Sequence, residues 1–272
     1  MTITELRRKL LKSLDPIDAR MILSMATGLD EIALITESGK TVSKAEEEKA
    51  SSLMQQRLSG IPMAYIIEKK EFYGHEFHVT PSVLIPRPDT ETLVECAIEL
   101  AKNFSHPTIL DLCTGSGAIA TSVSYALSTP VAISDISEEA LAIAKANYKA
   151  IIGTFPEARC GNLLEPWQDC KFNLILSNPP YLTDAWYEET DKDVKAEPRI
   201  AFLGGGSDGL DIIRDIISSA PAVLDKGGYL ALEIDYRQAE ICGSLLEKNG
   251  FEEISIVKDL ANKERVIYGR LS

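Results

Sequence analysis

The chain has 272 residues, of which 45% are hydrophobic and 25% are charged, and its net charge is −13 at pH 7. This length can hold one large domain or two unequal ones, and either can bury a sizeable core. No apolar run approaches the length of a membrane span, and the amino terminus lacks the apolar segment of a signal peptide. The five cysteines are odd in number and widely separated, which argues against paired-cysteine sites and for a cytoplasmic protein with reduced thiols.

The charge is unevenly distributed along the chain. The first 84 residues are close to balance, so almost all of the acidic excess falls on the remainder. A protein that binds nucleic acid through its phosphates needs a basic face. We therefore expect no stable nucleic-acid binding and no membrane association. We also expect no metal site, because the odd spacing of His75 and His78 points them to opposite faces of a strand.

The amino-terminal part of the chain is predicted to be helical. Thr2 and Ser43 each precede a glutamate by three positions, which is the spacing of a capping box at the start of a helix. Asp15 followed by Pro16 is suited to the N-cap and first position of another helix, which is predicted to stop near Gly28. Nothing in this region points to chemistry.

The pattern then changes twice. Residues 71–85 alternate aromatic or β-branched residues with polar ones around Gly74, which predicts a β-hairpin that links two domains. Over residues 86–272, short apolar runs alternate with helical segments, the pattern of a largely parallel, doubly wound α/β sheet. The predicted organisation is therefore a helical domain over 1–70, the hairpin linker, and an α/β domain, whose ligands bind beyond the carboxyl ends of its strands.

A glycine loop follows the first strand of the α/β region in "ILDLCTGSGAIA". Gly115 and Gly117 allow a tight turn and a close approach of the backbone to a ligand. Asp135 ends the next strand, where a carboxylate can accept both ribose hydroxyls of an adenosine ligand. The spacing fits a dinucleotide as well as S-adenosylmethionine. Asp111, just before the loop, favours the second, because a carboxylate there would attract a sulfonium and repel a pyrophosphate.

The sequence Asn178-Pro179-Pro180-Tyr181 directly follows a run that resembles a buried strand. A strand-terminating turn is the simplest interpretation. However, a planar NH2 group is a poor nucleophile whose two hydrogens need acceptors once they are buried. The side-chain oxygen of Asn178 and the carbonyl oxygen of Pro179 can hold those hydrogens, while Tyr181 offers a flat face for stacking. Methyl transfer to nitrogen needs such alignment more than a strong base.

A second glycine-rich segment, "GGGSDG", lies further along the chain. Its Gly205 to Gly209 portion matches the G-x-S-x-G nucleophile elbow of hydrolases. That architecture needs a histidine after the serine, and none follows Ser207. We expect Ser207 instead to be the N-cap of a helix that runs through Ile212 and Ile216.

Five segments follow one another in the chain: "EFYGHEFHVTPSVLIPRPDTETLVE", "ILDLCTGSGAIA", "SNPPYL", "EPRIAFLGGGSDGLD" and "NKERVIYGR". In this order they resemble the release-factor N5-glutamine methyltransferases, over essentially the whole chain. "SNPPY" alone is shared with adenine and cytosine amino-methyltransferases of nucleic acids, whereas "IPRPDTE" is much more specific. The resemblance implies a class I S-adenosylmethionine-dependent methyltransferase fold, with a seven-stranded sheet whose last strand is antiparallel.

The resemblance also implies an activity. The donor would be S-adenosylmethionine, with S-adenosylhomocysteine as product. The acceptor would be the side-chain amide of the glutamine in the Gly-Gly-Gln loop of class 1 release factors, which the helical domain helps to grip. The alternative is an N6-adenine or N4-cytosine amino-methyltransferase of DNA or RNA. That class normally needs a target-recognition region and a basic surface, and the residues after Tyr181 are needed to complete the sheet.

Site residues follow from the resemblance position by position. The implied catalytic residues are Asn178, Pro179 and Tyr181, which with Pro180 also hold the glutamine amide. The predicted cofactor-binding residues are Asp111, Cys113, Thr114, Gly115, Ser116, Gly117, Asp135, Asn162, Leu163 and Asn178. Arg87 in "IPRPDTE" is interpreted equally as a substrate contact or as a tie between domains.

Two of these positions depart from the family pattern. Cys113 stands where the loop normally has glycine, and we expect it to be tolerated if its φ is negative. Asn162 replaces the usual aspartate; its side-chain oxygen can still accept from the adenine amino group, although without charge. Both changes are expected to affect cofactor affinity more than activity.

Overall fold

The computed structural model describes residues 1–272, which form two compact units. The first unit contains Met1–Glu68 together with the short segment Asp191–Ala196, and the second contains Lys69–Thr190 and Glu197–Ser272. None of the helices combines the length and the apolar character needed to cross a bilayer.

The first unit is helical, as predicted. Its helices before residue 69 are α1 (Ile3–Leu10), α2 (Pro16–Thr27), α3 (Glu31–Thr36), α4 (Lys44–Leu58) and α5 (Met63–Ile67). The capping boxes that begin at Thr2 and Ser43 are both confirmed. Asp15 caps α2 with Pro16 at its first position, and Gly28 ends that helix at a φ of 70°. Leucines and isoleucines on the inner faces of these helices form one buried cluster.

A charged network holds the segment Asp191–Ala196 within the first unit. Arg57 of α4 donates through Nε to Asp18 Oδ2 at 2.5 Å, and through both terminal nitrogens to the carboxylate of Asp193 at 2.8 Å. The guanidinium and Asp18 are mostly enclosed, and paired buried charges are costly to separate. A stretch distant in sequence thus becomes part of the helical unit.

A hairpin opens the second unit. Its strands β1 (Lys69–Phe72) and β2 (His75–His78) pair antiparallel around Gly74. The hairpin therefore starts and ends earlier than the predicted 71–85. Residues 79–85 carry no strand, because Pro81 cannot donate a ladder hydrogen bond and a turn forms there instead.

The second unit is built on a seven-stranded sheet with the order β5-β4-β3-β6-β7-β9-β8. The strands are β3 (Ile109–Leu112), β4 (Val131–Asp135), β5 (Ala158–Cys160), β6 (Phe172–Ser177), β7 (Leu224–Glu233), β8 (Phe251–Lys258) and β9 (Glu264–Leu271). Strand β9 runs antiparallel to both of its neighbours, and the other pairs are parallel. This confirms the predicted doubly wound sheet with an antiparallel last strand.

Helices cover both faces of the sheet. The remaining helices are α6 (Glu91–Ala101), α7 (Ala118–Leu127), α8 (Glu138–Ile152), α9 (Asp184–Glu188), α10 (Lys192–Lys195, part of the first unit), α11 (Asp211–Val223) and α12 (Ala239–Lys248). Successive strand residues point to opposite faces. Accordingly, Leu174 and Leu176 of β6 pack in the cluster with α6, α7 and α8, whereas Ile175 packs with α11 and α12.

Candidate active site

The central parallel strands end at one edge of the sheet, and a cleft opens there. The strand order reverses between β3 and β6, which is where α/β sheets bind their ligands. Gly115 from the loop after β3, Asp135 from the end of β4, Asn162 from the loop after β5 and Asn178 from the end of β6 all line the cleft. The fold thus brings the two sequence motifs, glycine loop and Asn178 loop, into one site.

Asp135 holds the glycine loop in place. Its Oδ2 accepts from the backbone N–H of Gly115 at 2.9 Å, and its Oδ1 accepts from that of Ser137 at 3.0 Å. Burial raises the pKa of this carboxyl, while the backbone donors lower it. A Cβ on Gly115 would meet nothing, so the open space beside it is available to a ligand. One on Gly117 would lie 3.0 Å from Ala144. Gly115 therefore leaves room for a ligand to approach the backbone, whereas Gly117 allows the loop to pack closely against α8.

Asp111 does not face the cleft, contrary to the expectation that it lies beside a bound cation. It is completely enclosed, and its Oδ2 accepts from Thr114 Oγ1 at 2.6 Å and from the N–H of Ala120 at 3.1 Å. Its Oδ1 has no hydrogen-bond partner. Burial raises the pKa of Asp111 to about 7. Asp111 therefore holds the glycine loop from the interior of the domain. A side chain at the end of a strand can point into the interior as well as into the cleft.

Cys113 lines the cleft with a positive φ of 58°. The condition under which a side chain was expected to be tolerated here, a negative φ, is therefore not met. The tight turn after β3 imposes the left-handed region whatever the residue, and a side chain there costs about 1 kcal/mol relative to glycine. Burial raises the pKa of the Cys113 thiol to about 12, so the group stays neutral at physiological pH.

Asn162 and Leu163 lie side by side along the cleft. Asn162 Nδ2 donates to Glu165 Oε1 at 3.1 Å, which leaves its Oδ1 free to accept from a ligand amino group. Leu163 also has a positive φ, 45°. Both residues line the same cleft as Gly115, and their contact with an adenine stays a prediction.

The Asn178 amide is oriented by a side chain from "IPRPDTE". Its Nδ2 donates to Thr90 Oγ1 at 3.2 Å, and Thr90 is buried next to the start of α6. With its NH2 group occupied, Asn178 can turn its oxygen toward the cleft. Pro180 also lines the cleft.

Tyr181 is held at both its ends. Its hydroxyl donates to Glu233 Oε1 at 3.3 Å, and its backbone oxygen accepts from Gln238 Nε2 at 2.8 Å. The ring packs against the cluster with α11 and α12. Neither Tyr181 nor the buried Pro179 is among the residues that line the cleft.

The second glycine-rich segment supports the Asn178 loop from behind. A Cβ on Gly204 would lie 1.9 Å from Gly209 O and 2.8 Å from Pro180 O, and one on Gly209 would lie 2.3 Å from Tyr181 O. Only glycine allows backbones this close. Gln238 Nε2 joins the two loops, since it also donates to Asp208 O at 2.9 Å.

The predicted capping role of Ser207 is wrong. Helix α11 begins at Asp211, with Leu210 at its N-cap position and no side-chain cap. Gly209 takes a φ of 75° and prolongs the loop, because the segment packs against the backbone around Tyr181 before the helix can start. The glycines in "GGGSDG" therefore reflect packing against the Asn178 loop and not a helix start at Ser207.

Arg87 pairs with Glu197, a buried residue of the same unit. The other oxygen of Glu197 accepts from the backbone N–H of Ile85 at 2.9 Å. The two sequence segments "IPRPDTE" and "EPRIAF" are thus joined beside the cleft, to which Pro198 contributes. Arg87 therefore ties two segments of one unit and not two domains, and its contact with the substrate stays a prediction.

The comparisons with known proteins agree with this architecture. Residues 89–196 match the model of the methyltransferase small domain, and residues 4–67 match that of the PrmC N-terminal domain. A release factor glutamine methyltransferase of Neisseria gonorrhoeae is 39% identical over 96% of this chain and 95% of its own length. One of Bordetella pertussis is 40% identical over 94% of each. The chain belongs to the release factor glutamine methyltransferase family.

Solved structures agree on the fold of this family member. The catalytic domain of hMettl16, solved in complex with MAT2A 3'UTR hairpin 1, superposes with a TM-score of 0.59 at 11% identity. The match covers 85% of this chain and 81% of that one. At such low identity the likeness concerns the fold alone. The match of residues 89–196 to the methyltransferase small domain confirms the methyltransferase fold that the sequence predicted.

Three side chains that support the Asn178 loop of this methyltransferase were not predicted from its sequence: Thr90, Glu233 and Gln238. Thr90 lies within "IPRPDTE", and Glu233 is an acidic residue at the end of an apolar strand, so the sequence pattern could have indicated a role for both. Gln238 carried none, because its role depends on two loops that only the fold brings together.

Proposed function

We propose that the protein transfers a methyl group from S-adenosylmethionine to the side-chain amide nitrogen of the glutamine in the Gly-Gly-Gln loop of class 1 release factors. The observation that carries this proposal is the Asn178 amide, whose NH2 group is engaged by Thr90 and which lies on the cleft with the glycine loop. The names of the relatives support release factors as the protein partner. The proposed location is the cytoplasm, where translation takes place.

The residues of the cleft suit S-adenosylmethionine better than a dinucleotide. No lysine or arginine lines the cleft, whereas the carboxyl groups of Asp135 and Asp215 do. A pyrophosphate would lack a cationic partner there, and a sulfonium would not be repelled. Each oxygen of Asp135 accepts one backbone hydrogen bond and retains a lone pair for a ribose hydroxyl. The cofactor, when bound, supplies a methyl group carried on a positively charged sulfur.

The cofactor-binding roles are proposed as follows. Cys113, Gly115 and Asn178 line the cleft directly, as do Asp135, Asn162 and Leu163. Thr114, Ser116 and Gly117 complete the turn, in which the N–H of Thr114 donates to Ser134 O at 3.0 Å. Asp111 acts from beneath the loop through Thr114 and Ala120.

The residues after β6 are proposed to bind the glutamine amide. Asn178 Oδ1 would accept one amide hydrogen and the Pro179 carbonyl the other, so that the nitrogen is directed along one line. The nitrogen loses a proton only after the new C–N bond has formed, and solvent can take it. No general base is needed, and alignment supplies most of the rate. Tyr181 and Pro180 stiffen the loop, and the Tyr181 hydroxyl is anchored away from the cleft.

The experiment that tests these roles is kinetic. Asn178→Ala removes one of the two acceptors and should lower kcat by about a hundredfold to a thousandfold, as loss of a preorganised polar group does in other active sites. Asn249→Ala, at the end of α12, is the matched control and should leave kcat unchanged. Wild-type kcat in Asn178→Ala would refute the proposed site. Methylation of DNA or RNA in place of the release factor would move the proposal to the amino-methyltransferases of bases.

A further inference from the structure

Asn147 is a buried residue of α8, on the side of that helix that packs against the glycine loop. It is only 4% exposed, and it lies three positions after Ala144, the residue that a Cβ on Gly117 would meet. Residues three apart on a helix share one face. The roles proposed above make no use of Asn147, although its side chain is hydrogen-bonded to the loop that is proposed to bind the cofactor.

The side-chain amide of Asn147 joins two separate segments of backbone. Its Oδ1 accepts from the N–H of His78 at 2.9 Å, and its Nδ2 donates to His78 O and to Ser116 O, both at 2.9 Å. An amide NH2 group has two hydrogens, so both are committed. His78 is the last residue of β2, and Asn147 pairs with its N–H and its carbonyl as a neighbouring strand would. One side chain therefore ties the hairpin to the glycine loop.

The bond to Ser116 replaces one that a regular helix would make. In an α-helix, the N–H of Ala120 would donate to the carbonyl oxygen of Ser116, four residues earlier. Here the N–H of Ala120 donates instead to Asp111 Oδ2 at 3.1 Å, and Asn147 supplies the hydrogen that Ser116 O accepts. Asp111 and Asn147 thus take the place of one helical hydrogen bond. The loop therefore stays open until α7 begins at Ala118.

We propose that Asn147 is a positioning residue for the cofactor, which holds the glycine loop in its binding conformation by tying Ser116 to β2. Asn147 is not among the residues that line the cleft, so it acts through the loop and not by contact with a ligand. Without this tie the free loop would occupy other conformations, and cofactor binding would have to restore the open one at a cost in affinity. The proposal rests on the proposed role of the glycine loop in cofactor binding.

The bonds to His78 give this role a second consequence. Coupling between two sites is reciprocal, so a ligand that fixes the glycine loop also fixes the end of the hairpin through Asn147. The backbone N–H of His78 donates to Asn147 itself, and hydrogen exchange at this amide requires that bond to open. S-adenosylhomocysteine should therefore slow hydrogen exchange at the His78 amide of the wild-type protein.

The decisive variant is Asn147→Ala, which removes all three hydrogen bonds. Its Kd for S-adenosylhomocysteine, measured by calorimetry, should rise by about tenfold, since the loss of a buried hydrogen bond has effects of this size. The KM for S-adenosylmethionine should rise by the same factor. With saturating S-adenosylmethionine, kcat and the KM for the release factor should change little, because the hydrogen bonds that support the Asn178 loop remain in place.

Tyr148→Phe, at the next residue of the same helix, is the matched control. The Tyr148 hydroxyl is hydrogen-bonded to Ser124 Oγ at 2.7 Å and accepts from the N–H of Val131 at 3.1 Å, and the residue is 1% exposed. Val131 begins β4, so these bonds lie at the opposite end of that strand from the cleft. Both variants should lower the midpoint of urea unfolding. Only Asn147→Ala should weaken the binding of S-adenosylhomocysteine.

The outcomes separate this inference from the proposed function. A wild-type Kd in Asn147→Ala, or an equal loss of affinity in Tyr148→Phe, would overturn the positioning role. Hydrogen exchange at His78 that S-adenosylhomocysteine leaves unchanged would also overturn it, and this measurement needs no variant to fold. None of these results concerns the acceptor, so the proposed methylation of release factors would stand. If the wild type did not bind S-adenosylhomocysteine, the cofactor role of the glycine loop would fail, and this inference with it.

Discussion

Asp111 allows a quantitative test of the charge balance beneath the glycine loop. The carboxyl group is fully enclosed. It accepts two hydrogen bonds through Oδ2 and none through Oδ1. Asp111→Asn keeps an acceptor oxygen for Thr114 and Ala120 and removes the ionisation. The variant should therefore fold like the wild type but lose one component of its pH dependence.

The magnitude follows from the pKa of Asp111. Burial raises that pKa from 3.8 to about 7. Between these values the folded state keeps a proton that the unfolded state has lost, so the free energy of unfolding falls as pH rises. For one group this amounts to about 4 kcal/mol across the whole interval and about 3 kcal/mol between pH 5 and pH 8. Above pH 7 the folded protein carries the full cost of a buried charge.

The assay is urea unfolding of wild type and Asp111→Asn at pH 5 and at pH 8, analysed by linear extrapolation. All other titrating groups are common to the two proteins, so the difference in their free energies of unfolding isolates Asp111. We expect that difference to move by about 3 kcal/mol in favour of the variant between the two pH values. A difference that stays constant with pH would show that Asp111 titrates normally and would refute this account of the loop.

Three further predictions concern the loops around the cleft. Gln238→Glu should keep the oxygen that accepts from the N–H of Asp235, but it should lose the hydrogen bonds that Gln238 donates to the Asn178 loop and to the glycine-rich segment. We expect kcat to fall by about tenfold or more. Gln56→Glu, on the exposed face of α4, is the control. Cys113→Gly should raise the free energy of unfolding by about 1 kcal/mol, measured in urea, because glycine tolerates a positive φ; a destabilised variant would contradict this. Gly209→Ala should abolish most activity, since its Cβ would lie 2.3 Å from Tyr181 O, and steady-state kinetics at the wild-type level would disprove that contact.

The sequence predicted well those features that depend on local rules. Thr2 and Ser43 cap helices because a capping box needs only four consecutive residues. The alternation of apolar runs with helical segments was sufficient to predict the doubly wound sheet. The short helices α3 and α5 were missed, since six and five residues are too few to establish a helical period.

Other features depend on contacts that no local pattern contains. The start of α11 is displaced from Ser207 because the preceding loop packs on the backbone of Tyr181. The strand-end position of Asp111 was evident from the sequence, but the direction of its side chain was not. The hydrogen bonds from Asn178 to Thr90 and from Tyr181 to Glu233 join residues from three separate stretches of chain, which only the fold brings together.

The central claim is tested most directly by methyl transfer from labelled S-adenosylmethionine to a purified class 1 release factor. The same factor with the Gly-Gly-Gln glutamine changed to alanine, and a mixture of DNA and RNA, are assayed in parallel. We predict label on the wild-type factor alone. Label on the alanine variant, or on nucleic acid with none on the wild-type factor, would contradict the assignment of the glutamine amide as the acceptor.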